Sequence, residues 1–455
     1  MLNMISILRT YLPNAICAGR HERQPDNSVK RILASAVVFA AAFCFPTAVR
    51  GKTSDSNDSF LSNIPVEAHG FYELRAGYRL GSDKYEKDMS IMETRLQLDL
   101  SSSYLDWADL KFKGDVLGDL VTEEVDFDTR EAYISMMPVD SMDLKVGRQI
   151  LTWGTGDLVF INDLFPKDWQ SFFIGRDTEY LKAPSDAVKA SFFSDLANLD
   201  IVYTPQFDPD RFISGKRISY WNSNLGRLAG RDAIQRVDRP DRWFCDDEIA
   251  MRLYKNINSY EFAIYGYHGY WKSPGGQNAA ATRAIFPDLN VYGASLRGNL
   301  GKGIGNLEFG YYDSSDDRNG KNGLVNNSEL RFLAGYTQEI GKDFTAAVQY
   351  YVEHMLEYNR YKNSSPVGLS RDRDRHLVTL RLTKLLMNQN LRCSLFTYFS
   401  PSDKDVYMRP NVNYKVSDNL AIEAGANVFF GSYRSSFFGE FENNTNIYTA
   451  LRYSF

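Results

Sequence analysis

The sequence predicts an all-β fold: a transmembrane antiparallel β-barrel of about 18 strands. Three observations predict it. Apolar and polar residues alternate with a period of two over most of the chain after residue 69. The connections between these stretches alternate short and long. After the amino-terminal segment, no apolar run approaches the roughly 18 residues that a transmembrane helix needs. A membrane can then be crossed only by strands, of which one face alone must be apolar.

The amino-terminus has the layout of an export signal. Lys30-Arg31 precede an apolar run from Ile32 to Phe45, and Ala48 or Gly51 offers a small residue for cleavage. Residues 1–50 are assigned to a signal peptide, and the polar residues 51–68 to a disordered periplasmic leader. Residues 69–455 are assigned to the barrel.

In the first strand Tyr72, Leu74, Ala76, Tyr78 and Leu80 oppose Glu73, Arg75 and Arg79. In the second, Met92, Leu96, Leu98 and Leu100 oppose Glu93, Arg95, Gln97 and Asp99. In the third, Leu110, Phe112 and Val116 oppose Asp109, Lys111, Lys113 and Asp115. A fourth runs from about Arg130 to Met136 and a fifth from Met142 to Ile150. Strands follow near 187–193, 198–205, 248–255, 259–269, 288–300 and 304–313. Next, Leu330, Phe332, Ala334 and Tyr336 oppose Glu329 and Arg331; Phe344, Ala346, Val348 and Tyr350 oppose Thr345, Gln349 and Glu353. Val378, Leu380 and Leu382 then oppose Thr379, Arg381 and Thr383. The last four strands are 391–399, 405–415, 419–430 and 446–455.

Short connections fall at 101–106, 137–141, 194–197, 256–258, 301–303, 339–342, 385–390 and 416–418. Between them lie long ones at 81–89, 117–129, 151–186, 206–246, 270–287, 314–327, 354–373 and 431–445, with 400–404 the short exception. Outer-membrane barrels have short periplasmic turns and long outer loops. A soluble sandwich has no reason to sort loop length by parity.

Composition narrows the function classes. With 28 Tyr and 29 Phe, the strands can supply aromatic girdles at both membrane interfaces. The net charge of −5 gives no footing for nucleic-acid binding. Cys245 and Cys393 fall towards opposite ends of the expected barrel, so no disulfide is expected between them. No Cys-x-x-Cys-His, Gly-x-Ser-x-Gly or phosphate-binding Gly-rich motif occurs, so neither a cofactor nor an enzyme is expected. Asp157, Asn162 and Asp163 are oxygen donors, but the EF-hand spacing is missing and no metal is expected.

The inward faces are where function would lie. They carry Arg75, Arg79, Arg95, Arg252, Arg297, Arg331, Arg381, Arg409 and Arg452, with Glu93, Glu308 and Glu329 among the acids. Bases and acids nearly balance. Such charges can pair across strands and hold the wall together, or form a polar path that slightly favours anionic or hydroxylated solutes.

The passage from Val146 to Trp169 runs from a strand ending Gly-Arg-Gln into a loop rich in Gly, Asn, Asp and aromatics. Here the loop is expected to fold inward as a constriction or gate. Trp153, Phe160, Phe165 and Trp169 would pack it, and Arg148, Asp157, Asp163 and Arg176 would present charge. The bland alternative is an outer loop that packs on its neighbours. The 206–246 loop holds Arg211, Lys216, Arg217, Arg227, Arg231, Arg236, Arg239 and Arg242, interleaved with Asp208, Asp210, Asp232, Asp238 and Asp241. That interleaving predicts a solvated, self-paired loop rather than one that attracts lipopolysaccharide phosphates or an anionic solute.

The Gly147-Arg148-Gln149, Trp153-Gly154 and Asn162-Asp163 passage resembles that of the alginate-export-type barrels and a related family of proteobacterial outer-membrane proteins. The resemblance continues through Tyr407-Met-Arg-Pro-Asn-Val-Asn-Tyr-Lys-Val-Ser-Asp-Asn419 to an aromatic last residue, Phe455. It implies a porin-like, 18-stranded channel with inward-folded loops, engaged in transport rather than catalysis. It does not fix the solute: the strongly arginine-lined pore of the alginate exporter is not matched by the near balance of charge here.

The expectation is therefore a bacterial outer-membrane channel that passes hydrophilic solutes, anionic or saccharide, by diffusion through a charged lumen. The alternatives are a gated exit pore of an export system, and a plugged receptor or scaffold. The expected partners are outer-membrane lipid and lipopolysaccharide, the barrel-assembly machinery through Phe455, and a small-molecule or polysaccharide solute.

Overall fold

The computed structural model describes residues 66–105, 107–364 and 371–455. The export signal assigned to residues 1–50, and the leader up to residue 65, lie outside the described residues.

Eighteen antiparallel strands form one closed sheet. They are β1 (Val66–Arg79), β2 (Met89–Leu105), β3 (Ala108–Asp119), β4 (Glu124–Val139), β5 (Met142–Ile150) and β6 (Pro184–Phe192). Next come β7 (Asn198–Thr204), β8 (Glu248–Ile257), β9 (Tyr260–Tyr270), β10 (Asp288–Leu300), β11 (Gly303–Ser314) and β12 (Glu329–Gly341). The last six are β13 (Phe344–Met355), β14 (Asp374–Leu386), β15 (Leu391–Ser400), β16 (Asp405–Lys415), β17 (Leu420–Gly431) and β18 (Asn446–Ser454). Each strand pairs with the next, and β18 returns to β1 with Tyr453 opposite Tyr72 and Leu451 opposite Leu74. All the expected strands are present, in the expected order. Among the described residues, no helix is long and apolar enough to cross a membrane.

The alternation sets the register. Tyr72, Leu74 and Tyr78 lie on the exposed outer face of β1, whereas Glu73, Arg75 and Arg79 are buried inside. On β2, Met92, Leu96 and Leu98 point out, and Glu93, Arg95 and Gln97 point in. Slipping one strand by one residue would turn these arginines into lipid, at roughly 2–4 kcal/mol each near the midplane.

Several boundaries differ from the expectation: β2, for one, runs through most of the expected 101–106 connection to Leu105. β1 begins at Val66, inside the segment assigned to the leader. The β3–β4 connection is only residues 120–123, not 117–129. The acid-dense run Glu124-Val-Asp-Phe-Asp128 reads as loop, yet it is strand: Val125 and Phe127 face outward, which turns Glu124, Asp126 and Asp128 to the other side. Beyond it the pairing skips a residue, because Gly114 faces Thr129 and Lys113 faces Glu131. This β-bulge places Arg130 on the inner side and buries it almost completely.

The hydrophobic core lies inside the cylinder. Residues 151–183 enter the lumen and carry a short helix, α1 (Trp169–Ile174). Asp168 caps α1 by accepting from the Ser171 N–H at 2.8 Å, and Gly175 ends it at φ +93°. A side chain at Gly175 would also meet the Tyr448 ring. Phe172 and Phe173 of α1 pack edge-on against Tyr407, with ring centroids 5.7 and 5.3 Å away, and Phe173 also meets Phe429 at 5.5 Å. Between β7 and β8, Tyr220–Asn222 pairs with Arg227–Ala229, and between β13 and β14 a second helix, α2, spans Tyr358–Ser364.

Candidate functional site: the loop across the lumen

The loop leaves from β5 and returns to β6. Its far end meets β14, nine strands along in a ring of eighteen, which is halfway round the cylinder. There Arg381 grips Asp157 with two donors on one edge of its guanidinium, Nε to Oδ2 and Nη2 to Oδ1, the latter at 2.7 Å. The bland reading of an outer loop packed only on its neighbours is excluded by this contact.

The tip, residues 155–162, has its backbone groups taken by wall side chains. Glu308 on β11 accepts from the N–H groups of Thr155, Gly156 at 2.7 Å and Asn162 at 3.3 Å, and from Asn162 Nδ2 at 3.0 Å. Gln349 on β13 accepts from the Asp157 N–H at 2.7 Å and donates to the Asp157 carbonyl at 2.8 Å. Tyr398 on β15 donates to the Leu158 carbonyl at 2.7 Å, and Asn306 donates to the Thr155 carbonyl at 3.1 Å. Unpaired buried amides are costly, so this pattern seats the tip firmly.

The other half of the loop is fixed by charge. Arg176 pairs with Glu93 at 2.6 Å, Arg75 donates to the Gly175 carbonyl at 2.6 Å, and Arg409 donates to the Arg176 carbonyl while lying 4.6 Å from the Phe172 ring. Arg95 pairs with Asp115 and lies 4.1 Å from the Tyr180 ring. Burial pushes the Asp177 carboxyl up, but the Arg452 guanidinium and the Glu179 N–H outweigh it and hold it below the ordinary carboxylate range.

Most of the sequence-predicted wall residues are paired. Arg75 meets Glu73 and Glu423, each at 3.0 Å, and Arg452 meets Glu73 at 2.8 Å. Arg252 meets Glu261 at 2.7 Å, and Arg331 meets Glu329 at 2.7 Å. Arg79 donates to the carbonyls of Arg217 and Met89 near the barrel mouth. Arg297 is exposed and has no ion-pair partner among the described residues. Within the loop, Trp153 packs edge-on against Phe165 at 4.9 Å, and Asp163 pairs with Lys167 at 3.0 Å.

One expected loop residue lies elsewhere. Arg148 sits on β5, on the side of the strand that exposes Val146, and pairs with Asp186 at 3.1 Å opposite it on β6. It is two residues from Val146 and so shares its outward face. Arg130, which the alternation hides, does enter the site: it donates to the carbonyls of Glu179 and Lys182 at 3.1 and 3.0 Å and lies 4.4 Å from the Tyr180 ring. Its bulge has no signature in hydrophobic pattern alone.

The 205–247 loop is also corrected. It is not a solvated, self-paired loop throughout. Arg227–Asp232 and Arg242–Asp246 are internal pairs, at 2.7 and 2.8 Å. Arg217, however, is buried against Glu93 at 2.8 Å, and Arg211 pairs with Asp128 at 2.7 Å and Asp168 at 3.3 Å. Asp210 accepts from the Lys167 N–H at 2.7 Å, Trp169 Nε1 at 3.1 Å and Ser273 Oγ at 2.7 Å, so it ties three loops together. Burial drives its carboxyl pKa upward, against the pull of Lys167 and these donors. Phe207, Ile218 and Ser219 are buried too.

Two cavities beside the loop bear on passage. One, of about 250 Å³, lies against β15–β18 and β1, where Arg392, Lys415, Asp418, Glu423 and Arg452 line it. The other, of about 180 Å³, lies against β10–β14, where Arg297, Asn306, Thr337, Thr345, Arg381 and Thr383 line it.

No family model and no curated protein sequence matches the chain. Solved structures do. OccAB3 of Acinetobacter baumannii superposes with a TM-score of 0.53 at 10% identity, over 86% of this chain and 99% of that one. OccK11 (OpdR) of Pseudomonas aeruginosa gives 0.51 at 10% identity, over 86% and 95%. OccK5 (OpdH) of the same species gives 0.51 at 12% identity, over 86% and 96%. At such identities the likeness is one of fold: with its closed ring of eighteen strands and its apolar outer face, this chain has the fold of a porin-like outer-membrane β-barrel.

Proposed function

We propose that the protein is an outer-membrane channel that passes hydrophilic solutes by diffusion past a fixed constriction. The observation that carries this reading is the loop itself: residues 151–183 cross the lumen and are held on the wall halfway round by Arg381, Gln349 and Glu308. The remaining space is lined by hydroxyl, amide and charged groups, which suits anionic or saccharide solutes. Kinship with the alginate-export-type barrels is proposed on the Gly147-Arg148-Gln149 and Trp153-Gly154 passage and the inward course of the loop that follows it. Lipid, lipopolysaccharide and, through Phe455, the barrel-assembly machinery are proposed as its partners.

A specific observation favours a second reading, a gated or plugged barrel. Aromatic side chains of α1, β16 and β17 fill part of the lumen, and the open cavities are small. Single-channel recording of the refolded protein in a planar bilayer separates the two. Steady openings support the diffusion channel. A barrel that conducts only after residues 151–183 are shortened supports the gated form and overturns free diffusion.

A further inference from the structure

We propose that the loop is a permanent septum and splits the lumen into two parallel lanes, of which only the β10–β14 lane prefers anions. The proposal rests on the channel reading above and says which route a charged solute takes.

The seam between the lanes follows from where the loop touches the wall. It is bound at β14 by Asp157 to Arg381, at β15 by the Leu158 carbonyl to Tyr398, and at β16 by the Arg176 carbonyl to Arg409. The two cavities lie on opposite sides of this seam, one against β10–β14 and the other against β15–β18 and β1. The tip between them has no slack, because Glu308, Gln349 and Asn306 take its amides and carbonyls.

The linings differ in chemistry. In the β10–β14 cavity Arg381 is neutralised by Asp157, and the cross-strand neighbour of Arg297 is Glu261, which is taken by Arg252. Arg297 is thus an uncompensated cation among Thr337, Thr345, Thr383 and Asn306, hydroxyl and amide groups that can stand in for solvating water. In the other cavity, Arg392, Lys415 and Arg452 share the space with Glu73, Asp177, Asp418 and Glu423, so acids outnumber bases there.

The test places a plug in each lane. Thr345→Cys puts a thiol in the β10–β14 cavity and Asn413→Cys, at a residue that lines the other, puts one there, and a bulky water-soluble thiol reagent then fills each. The unsubstituted protein, treated alike, controls for the free thiol of Cys393, and recording before labelling verifies that each variant folds and conducts. The expected result is that each plug removes part of the conductance and that the two remainders add up to the whole. Anion preference, read from the reversal potential under a salt gradient, should survive the Asn413→Cys plug and vanish with the Thr345→Cys plug. Arg297→Gln should remove the same preference without a plug. Complete block by either plug, or no change with either, overturns the two-lane proposal while leaving the channel reading intact. A silent unsubstituted barrel instead sinks the channel reading itself.

Discussion

Single side chains decide how the loop is held. Glu308 is buried and answers three backbone N–H groups and one amide of the tip. Glu308→Ala strands these donors, at a cost of about 1–3 kcal/mol. Added protease should then cut within residues 151–183 faster than in the parent, whereas Glu308→Gln, which keeps an acceptor, should stay close to it. Equal cutting in all three proteins would show that Glu308 does not hold the tip. Asp157 and Arg381 were legible in the sequence because each falls where the alternation or the loop composition points. Glu308 was legible as an inward acid, but its task was not, since backbone partners leave no trace in residue type. Arg130 escaped for a different reason: one extra residue in β4 shifts the parity, and a period-two reading assigns it to the wrong side.

Among the elements, the strands test most directly. Arg381→Cys should react with small water-soluble thiol reagents, and Leu380→Cys, on the lipid side, should react poorly. The reverse would overturn the register of β14. In the loop element, Phe173→Ala removes a ring wedged among Tyr407, Phe429 and Phe441 and should weaken docking of α1 by about 3–5 kcal/mol, seen as noisier and larger conductance. The outer loops carry a pH dependence. Glu440 accepts from the Trp221 N–H at 2.8 Å, and burial, helped by the nearby Asp405 carboxylate, pushes its pKa up to about 8. The docked state therefore binds a proton that the undocked one gives up. Its stabilisation is complete below the ordinary carboxylate range and is lost as pH rises through about 8. Hydrogen exchange at the Trp221 amide should quicken across that window, and Glu440→Gln should abolish the change. The sequence showed strands well because lipid imposes one rule on every outward position. It showed the 205–247 loop poorly because interleaved Arg and Asp can pair within a loop or across to another, and composition is the same in both cases.

At the scale of the whole molecule, strand number and closure were legible, because a barrel has no edge and each strand must find two neighbours. The closing seam makes its own prediction. Gly70 exchanges two backbone hydrogen bonds of 3.0 Å with Phe455, and a Cβ at Gly70 would meet the Phe455 ring at 2.7 Å and the Gln97 carbonyl. Gly70→Val should lower the yield of closed barrel, measured as the fraction that keeps its compact mobility on electrophoresis without heating. An unchanged fraction would show that the seam tolerates the extra carbon.

The grip of Arg381 on Asp157 also has a meaning in time. It joins residues 224 positions apart in the sequence, and the Tyr398 bond to Leu158 joins residues 240 apart. A polymer makes such distant contacts late, after the nearer ones have shortened the path between them. The hairpins should thus assemble while residues 151–183 still hang free, and the crossing loop and the β1–β18 seam, which joins still more distant residues, should settle last. Refolding followed by conductance tells the order of these two late steps: an opening that narrows with age means that the seam shuts before the loop divides the lumen.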